Sequence, residues 1–228
     1  MSRPKKKPYD AEAVMQELLS TVDECYKEHG QIKAVAKELD LAELKVKKLL
    51  ITSKRISYPQ TDEIQKMLRS GASMSEVMDR LCLSRSSINA YLPYSKVPYK
   101  ESEISANADR CELYRKRKAA VESIVDIESL WSCIILFAGY PFKTATGLKF
   151  TYKIGRDGKI TRELFIDRKE KSITMSTVER AYEKAVAVDV VKGPKELGNF
   201  FGISYLYSIF FRFGLIDVPE RIKEKMKA

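Results

Sequence analysis

IKAVAKELDLAELKVKKLL (Ile32–Leu50) precedes MSEVMDRLCLSRSSINAYL (Met74–Leu92) by 42 residues, and the two align without a gap. Ile32 falls on Met74, Val35 on Val77, Leu39 on Leu81, Leu41 on Leu83, Val46 on Ile88 and Leu50 on Leu92. Apolar positions agree while polar ones differ, as expected of segments that share a core geometry but not a surface. Three-and-four spacing through Ile32, Val35 and Leu39 predicts a short helix. The period resets at Leu41 and resumes at Val46 and Leu49, so a second short helix follows a tight turn. Leu41 and Leu83 plug the angle between each pair. An earlier helix supports each pair: Ala11 to Glu28 supplies Val14, Leu18, Val22 and Cys25, and Thr61 to Ser70 supplies Ile64, Met67 and Leu68. The same offset carries Val22 onto Ile64. The expectation is therefore two tandem trihelical units, each a support helix followed by a helix-turn-helix.

The second unit resembles the helix-turn-helix of sigma-factor region four and related bacterial or phage-borne regulators. The matching residues are Ser75-Glu76, Leu81, Leu83, Ser84 and Ile88. The resemblance covers about forty residues and names a motif. This chain departs from it at Met78, where alanine is usual, and at Cys82, where glycine is common. It implies double-stranded DNA as partner and a role in transcription regulation.

The residues carry the same reading independently. Ser84 suits a helix N-cap, since its hydroxyl can accept from backbone N–H groups of the first turn. A helix from Arg85 to Leu92 that buries Ile88 and Leu92 points Arg85, Ser86, Ser87 and Asn89 outward. Arginine can pair bidentately with guanine and asparagine with adenine, while short serines let a helix approach the groove floor. Such a helix enters the major groove by its N-terminal end. The first unit places Ala42, Glu43, Leu44, Lys45 and Lys47 at the equivalent positions. Glu43 is unfavourable near phosphate. Lys45, Lys47 and Lys48, with Lys54 and Arg55, are expected to form a basic edge that positions the protein on phosphates without reading bases. The arm Arg3–Pro8 and the cluster Arg115, Lys116, Arg117 and Lys118 follow the same logic. The cluster is placed on a helix whose buried side is Leu113, Ala120, Val121 and Ile124.

Composition agrees. The chain has 228 residues, 32% of them charged, and a net charge of +10. A surplus of that size attracts a polyanion. Met1 leads into SRPKKKP with no apolar run behind it, so no secretory signal is expected. LWSCIILFAGY and ISYLYSIFFRFGLI are too short to span a membrane, and Arg212 interrupts the second. Cys25, Cys82, Cys111 and Cys133 lie far apart, with no CxxC pair, and read as reduced, mostly buried thiols of a cytoplasmic protein. His29 is the only histidine. That excludes zinc fingers, HNH nucleases and histidine-dependent triads.

From about Ile127 the texture changes. IESLWSCIILFAGY predicts a buried helix ended by Pro141. GLKFTYKI alternates, with Leu148, Phe150, Tyr152 and Ile154 on one face; GRDG turns; KITRELFID returns with Ile160, Leu164 and Ile166. Ser176 and Glu179 form a capping-box pattern opening a helix to about Val188. PKELGNFFGISYLYSIFFRFGLI repeats the helix-turn-helix punctuation, with Gly198, Gly202 and Ile203 where Ala36, Asp40 and Leu41 stand. Its second helix is apolar nearly all round, which predicts a core or self-association role. Tyr205 and Tyr207 remain candidates to meet a ligand or partner.

The fold expected is mainly α. It comprises a basic arm (1–9), helix-turn-helix units at 10–58 and 59–95, and a linker with a basic helix (96–126). An α+β domain follows at 127–228, with one β-hairpin and a helical bundle, winged-helix-like. The function expected is sequence-specific double-stranded DNA binding without enzymatic activity, cofactor or metal, and with a homodimer through the C-terminal domain. The alternatives are an accessory DNA-binding protein and a metal-dependent nuclease. For the nuclease, Asp157 with Asp167-Arg168-Lys169 mimics the PD-(D/E)xK pattern, although Asp157 between Gly155 and Gly158 is better explained as a turn residue.

Overall fold

The computed structural model describes residues 10–95, 100–156, 159–167, 171–188 and 190–227. The arm at Arg3–Pro8, Pro98, and the nuclease candidates Asp157, Arg168 and Lys169 lie outside them. Among the described residues the protein is mainly helical, with small antiparallel sheets towards the C-terminus. No described helix is long and apolar enough to cross a membrane. Two compact units divide the chain, Met1–Tyr114 and Arg115–Ala228.

In the first unit, α1 (Ala11–His29), α2 (Ile32–Glu38) and α3 (Glu43–Thr52) pack on one another, and α4 (Pro59–Arg69), α5 (Met74–Leu81) and α6 (Arg85–Tyr91) repeat the arrangement. The 42-residue echo is a backbone echo. Both α2 and α5 begin at equivalent residues, as do α3 and α6. Asp40 (φ 49°) and its equivalent Cys82 (φ 51°) both take the left-handed conformation that ends the first helix of each pair. The next amide then donates back into that helix, Leu41 to the Ala36 carbonyl (2.8 Å) and Leu83 to that of Met78 (3.2 Å). Three aligned pairs, Val22/Ile64, Val35/Val77 and Val46/Ile88, are fully buried and form the shared core.

Helix α7 (Glu101–Glu122) begins well before the basic cluster, so the connector after α6 is shorter than the sequence suggested. Its early turns are helical because Ile104 and Ala108 pack against Val14 of α1, and Cys111 and Tyr114 join the core of α1–α3. Leu113, expected on the buried side, is exposed, because the buried stripe runs through Ile104, Asn107, Ala108, Cys111 and Tyr114 instead.

The second unit is built around α8 (Ile127–Leu136), α9 (Met175–Val186) and α10 (Ile203–Arg212), with α11 (Glu220–Lys227) at the end. It contains two small sheets where one hairpin was expected. Strands β1 (Phe142–Lys143) and β2 (Lys149–Phe150) pair antiparallel, and β3 (Tyr152–Arg156), β4 (Lys159–Ile166) and β5 (Ser172–Thr174) form a second sheet in that order. Phe150 and Tyr152 therefore belong to different sheets, and Leu148, expected on their buried face, is exposed. The helix after β5 is capped by Thr174, with no side-chain cap bond, and not by Ser176. The pairing of Thr174 with Glu163 carries the strand up to the first residue of α9 and leaves no room for a later cap.

Before α10 a single 3₁₀ turn (Pro194–Leu197) stands where a first helix was expected. Gly198, at φ 132°, ends it with a backbone that a side-chain-bearing residue rarely adopts. Gly202 (φ 84°) does repeat the left-handed turn of Asp40 and Cys82, and a Cβ there would strike Ile173 at 2.3 Å. Leu206, Tyr207, Ile209 and Phe210 are buried, so α10 is the core helix of this unit. Tyr207 uses its hydroxyl on the Val191 carbonyl (2.9 Å), and Tyr205 packs edge-on to Phe150.

Candidate nucleic-acid interface

Helix α6 is short and opens on a serine cluster. Ser84 is the N-cap, and its Oγ accepts from the Ser87 amide (3.2 Å). The hydroxyls of Ser86 and Ser87 each lie 2.9 Å from the same Oγ. The serines thus close the first turn as well as keeping the helix end slim. Ile88 anchors the helix in the core, and Arg85, Ser86 and Asn89 are exposed while Ser87 is half-buried. The left-handed turn at Cys82 sets the angle at which this end leaves α5.

The equivalent end of α3 differs. Ala42 gives no side-chain cap, and Glu43 and Leu44 are exposed. The lysines assigned to a basic edge are half-buried. Lys47 Nζ lies 3.8 Å from the ring centroid of Tyr91 and 4.7 Å from that of Tyr58, and the two rings meet edge-on at 5.6 Å. Lys47 therefore ties α3 to the start of α4 and the end of α6 through cation–π contact. Lys45 Nζ reaches Asn107 Oδ1 of α7 (3.4 Å) and lies over the Tyr94 ring (5.6 Å). Burial lowers the pKa of both lysines, and the Arg110 charge lowers Lys45 further against a smaller opposing effect of Glu103. Arg55 pairs with Asp23 at 3.7 Å, leaving Lys48, half-buried, and Lys54, exposed, as the other cations of this edge.

In the basic cluster, Arg115 and Lys116 are exposed, and Arg117 and Lys118 are half-buried. The Arg117 guanidinium lies over Phe137 (5.0 Å) and Tyr140 (5.2 Å), and so serves the packing of the second unit. Asp167 accepts a hydrogen bond from the Thr151 hydroxyl. Among the described residues no three His, Cys, Asp or Glu side chains come together as a metal-binding group.

Sequence reasoning passed over Tyr58, Tyr91, Tyr94 and Asn107. The tyrosines had a usable signal: each flanks a predicted helix end, beside or close to Pro59 or Pro93, where an aromatic ring can cover a lysine stem. Asn107 had none, because its burial depends on α3. Comparison of the chain with protein-family models, curated proteins and solved structures found no match.

Proposed function

We propose that this protein binds double-stranded DNA in a sequence-specific manner, as a transcriptional regulator, with α6 entering the major groove by its N-terminal end. On this reading α2–α3 and α5–α6 are tandem helix-turn-helix pairs. The observation that carries it is the Ser84-capped end of α6, where Arg85, Ser86 and Asn89 stand exposed on a helix fixed by Ile88. These side chains suit base edges, and a net charge of +10 supports attraction to the phosphate backbone. Lys48, Arg115 and Lys116 supply sequence-blind phosphate contacts. Lys47 acts indirectly, by holding α6 against α3. The second unit is a winged-helix relative with its strands placed first, whose aromatic helix has become core and whose role is assembly as a homodimer. The mechanism is binding, without covalent chemistry.

Selection of bound sequences from a random duplex pool tests the proposal. A recovered motif bound far more tightly than random duplex is expected, and an inverted repeat in it would report the dimer. A ratio near one between selected and random sites would sink sequence specificity and leave an accessory DNA-binding protein.

A further inference from the structure

We infer that the groove between the start of α3 and the early turns of α7 binds the oxyanion head group, phosphate or carboxylate, of a small organic molecule. The groove has a volume of about 630 Å³, within the range of small-molecule sites. Lys45, Lys48 and Arg110 line it, with Glu103 as the acidic group facing them. Lys45 Nζ (3.4 Å) and an Arg110 guanidinium nitrogen (3.5 Å) converge on one atom, Asn107 Oδ1. Asn107 is neutral, so it satisfies geometry without cancelling charge. It is only 2% exposed and lines the groove, and the described residues give its amide nitrogen no hydrogen-bond partner. A buried amide donor beside converging cations is the arrangement an oxyanion completes. Arg110 is also held from behind, by the Asp40 carbonyl (3.1 Å) and carboxylate (3.9 Å), which orients its guanidinium. The first turn of α3, with no side-chain cap at Ala42, adds backbone N–H groups on the same side. Leu44 and the Tyr94 ring offer apolar surface for the body of the ligand.

A DNA phosphate fits this recess less well. The cations are half-buried, and a duplex carries one negative charge per about 1.7 Å of its axis. Its neighbouring phosphates would be drawn over Glu103 and Asp40. A single compact head group avoids both.

The test is a backbone-amide NMR titration of the full chain with inorganic pyrophosphate, against sodium chloride at matched ionic strength and without DNA. Saturable shifts are expected at residues 42–48, 94–95 and 103–110, with other amides unmoved. Lys48→Gln should weaken the apparent affinity at least ten-fold, and Glu103→Gln should tighten it about three- to ten-fold. A gain on removing Glu103 cannot arise from damaged folding. Shifts that are linear, or the same as with chloride, overturn the inference, as does a Glu103→Gln variant that binds no better. A separate titration adds duplex DNA. If DNA moves these amides and pyrophosphate competes with it, the groove belongs to the DNA backbone and the small-ligand reading falls. The pyrophosphate arm contains no DNA, so its outcome stands whether or not α6 reads bases.

Discussion

Val46 and Ile88 occupy the same place in two copies of one backbone plan, and both are fully buried, yet their surroundings differ. Around Val46 the core extends through Leu18, Cys25, Leu39, Leu49 and Leu50, and α7 adds Cys111 and Tyr114. The Tyr114 hydroxyl donates to Glu28 at 3.1 Å, and burial first, then nearby Cys25 and Glu28, raise its pKa. Around Ile88 only Ile64 and Val77 are fully buried, and the rest of the cluster is half-exposed. Local bonds stand in for the missing core. Ser73 and Glu76 form a reciprocal capping box and Ser84 caps α6, whereas Gln31 and Ala42 at the equivalent positions make no side-chain cap. A helix that lacks a covering neighbour leans on its ends. It also keeps a face in solvent, which is what a reading helix requires.

The largest break in this comparison comes from Ile88→Ala. Removing a buried isoleucine costs about 2–5 kcal/mol. With three fully buried residues in its core, α4–α6 should lose amide protection while α1–α3 keep theirs. Hydrogen exchange by NMR measures this. Equal loss in both copies would show that they fold as one cooperative set.

Next comes the reading surface. Arg85→Ala should weaken binding to a selected site by about 1–3 kcal/mol and relax preference at one base pair. Glu43→Ala, at the equivalent place in α3, should leave base preference unchanged. If Arg85→Ala weakens selected and random duplexes alike, Arg85 is a phosphate contact.

The caps come third. Ser84→Ala should destabilise the α6 end by about 1 kcal/mol. Ala42→Ser, which copies the cap into α3, should stabilise by a smaller amount, since α3 is already held by its core. Thermal denaturation of the two variants reads the difference, and opposite signs are expected.

The left-handed turns give a smaller contrast. Cys82→Gly relieves a conformation that a side-chain-bearing residue adopts at a cost, and should stabilise by about 0.5–1 kcal/mol. Asp40→Gly should gain less, because aspartate tolerates the region and the Asp40 carbonyl and carboxylate both engage Arg110. Equal gains at both positions would mean that the Arg110 contacts contribute nothing to the turn.

What could be read from the chain alone followed from local periodicity. The 42-residue echo located α2, α3, α5 and α6 and the turn between each pair, because equal spacing of Val35/Val77 and Val46/Ile88 reports a shared core. The start of α7 was not legible. Its buried stripe includes Asn107 and Ala108, and only packing against α1 and α3 reveals that face. Strands β1 and β2, two residues each, are too short to show a period. Of the candidate site, the Ser84 cap and the exposure of Arg85 and Asn89 were legible from one helix. The capture of Lys47 between Tyr58 and Tyr91 was not, since three separate elements make it.

The two copies should also part on acidification. The Ser73 amide donates to Glu76 Oε2 at 2.6 Å, and this bond, with a further one from the Ser73 side chain, holds the Glu76 carboxyl below the usual glutamate range. A carboxyl whose pKa is lower folded than unfolded contributes stability that is present above the unfolded value. That contribution is lost as pH falls through the folded one. In the first copy Gln31 and Ala34 stand at these positions, so nothing there titrates. As pH falls below about 4, amides at Ser73–Val77 should lose protection before those at Gln31–Val35. The carboxyl carbon shift of Glu76 should titrate below the ordinary glutamate midpoint. Ser73→Ala should return that midpoint to the ordinary range and erase the difference between the copies. A Glu76 midpoint at the ordinary value in the unaltered protein would mean that the capping box does not form in solution, and α5 would then be held by Val77 alone.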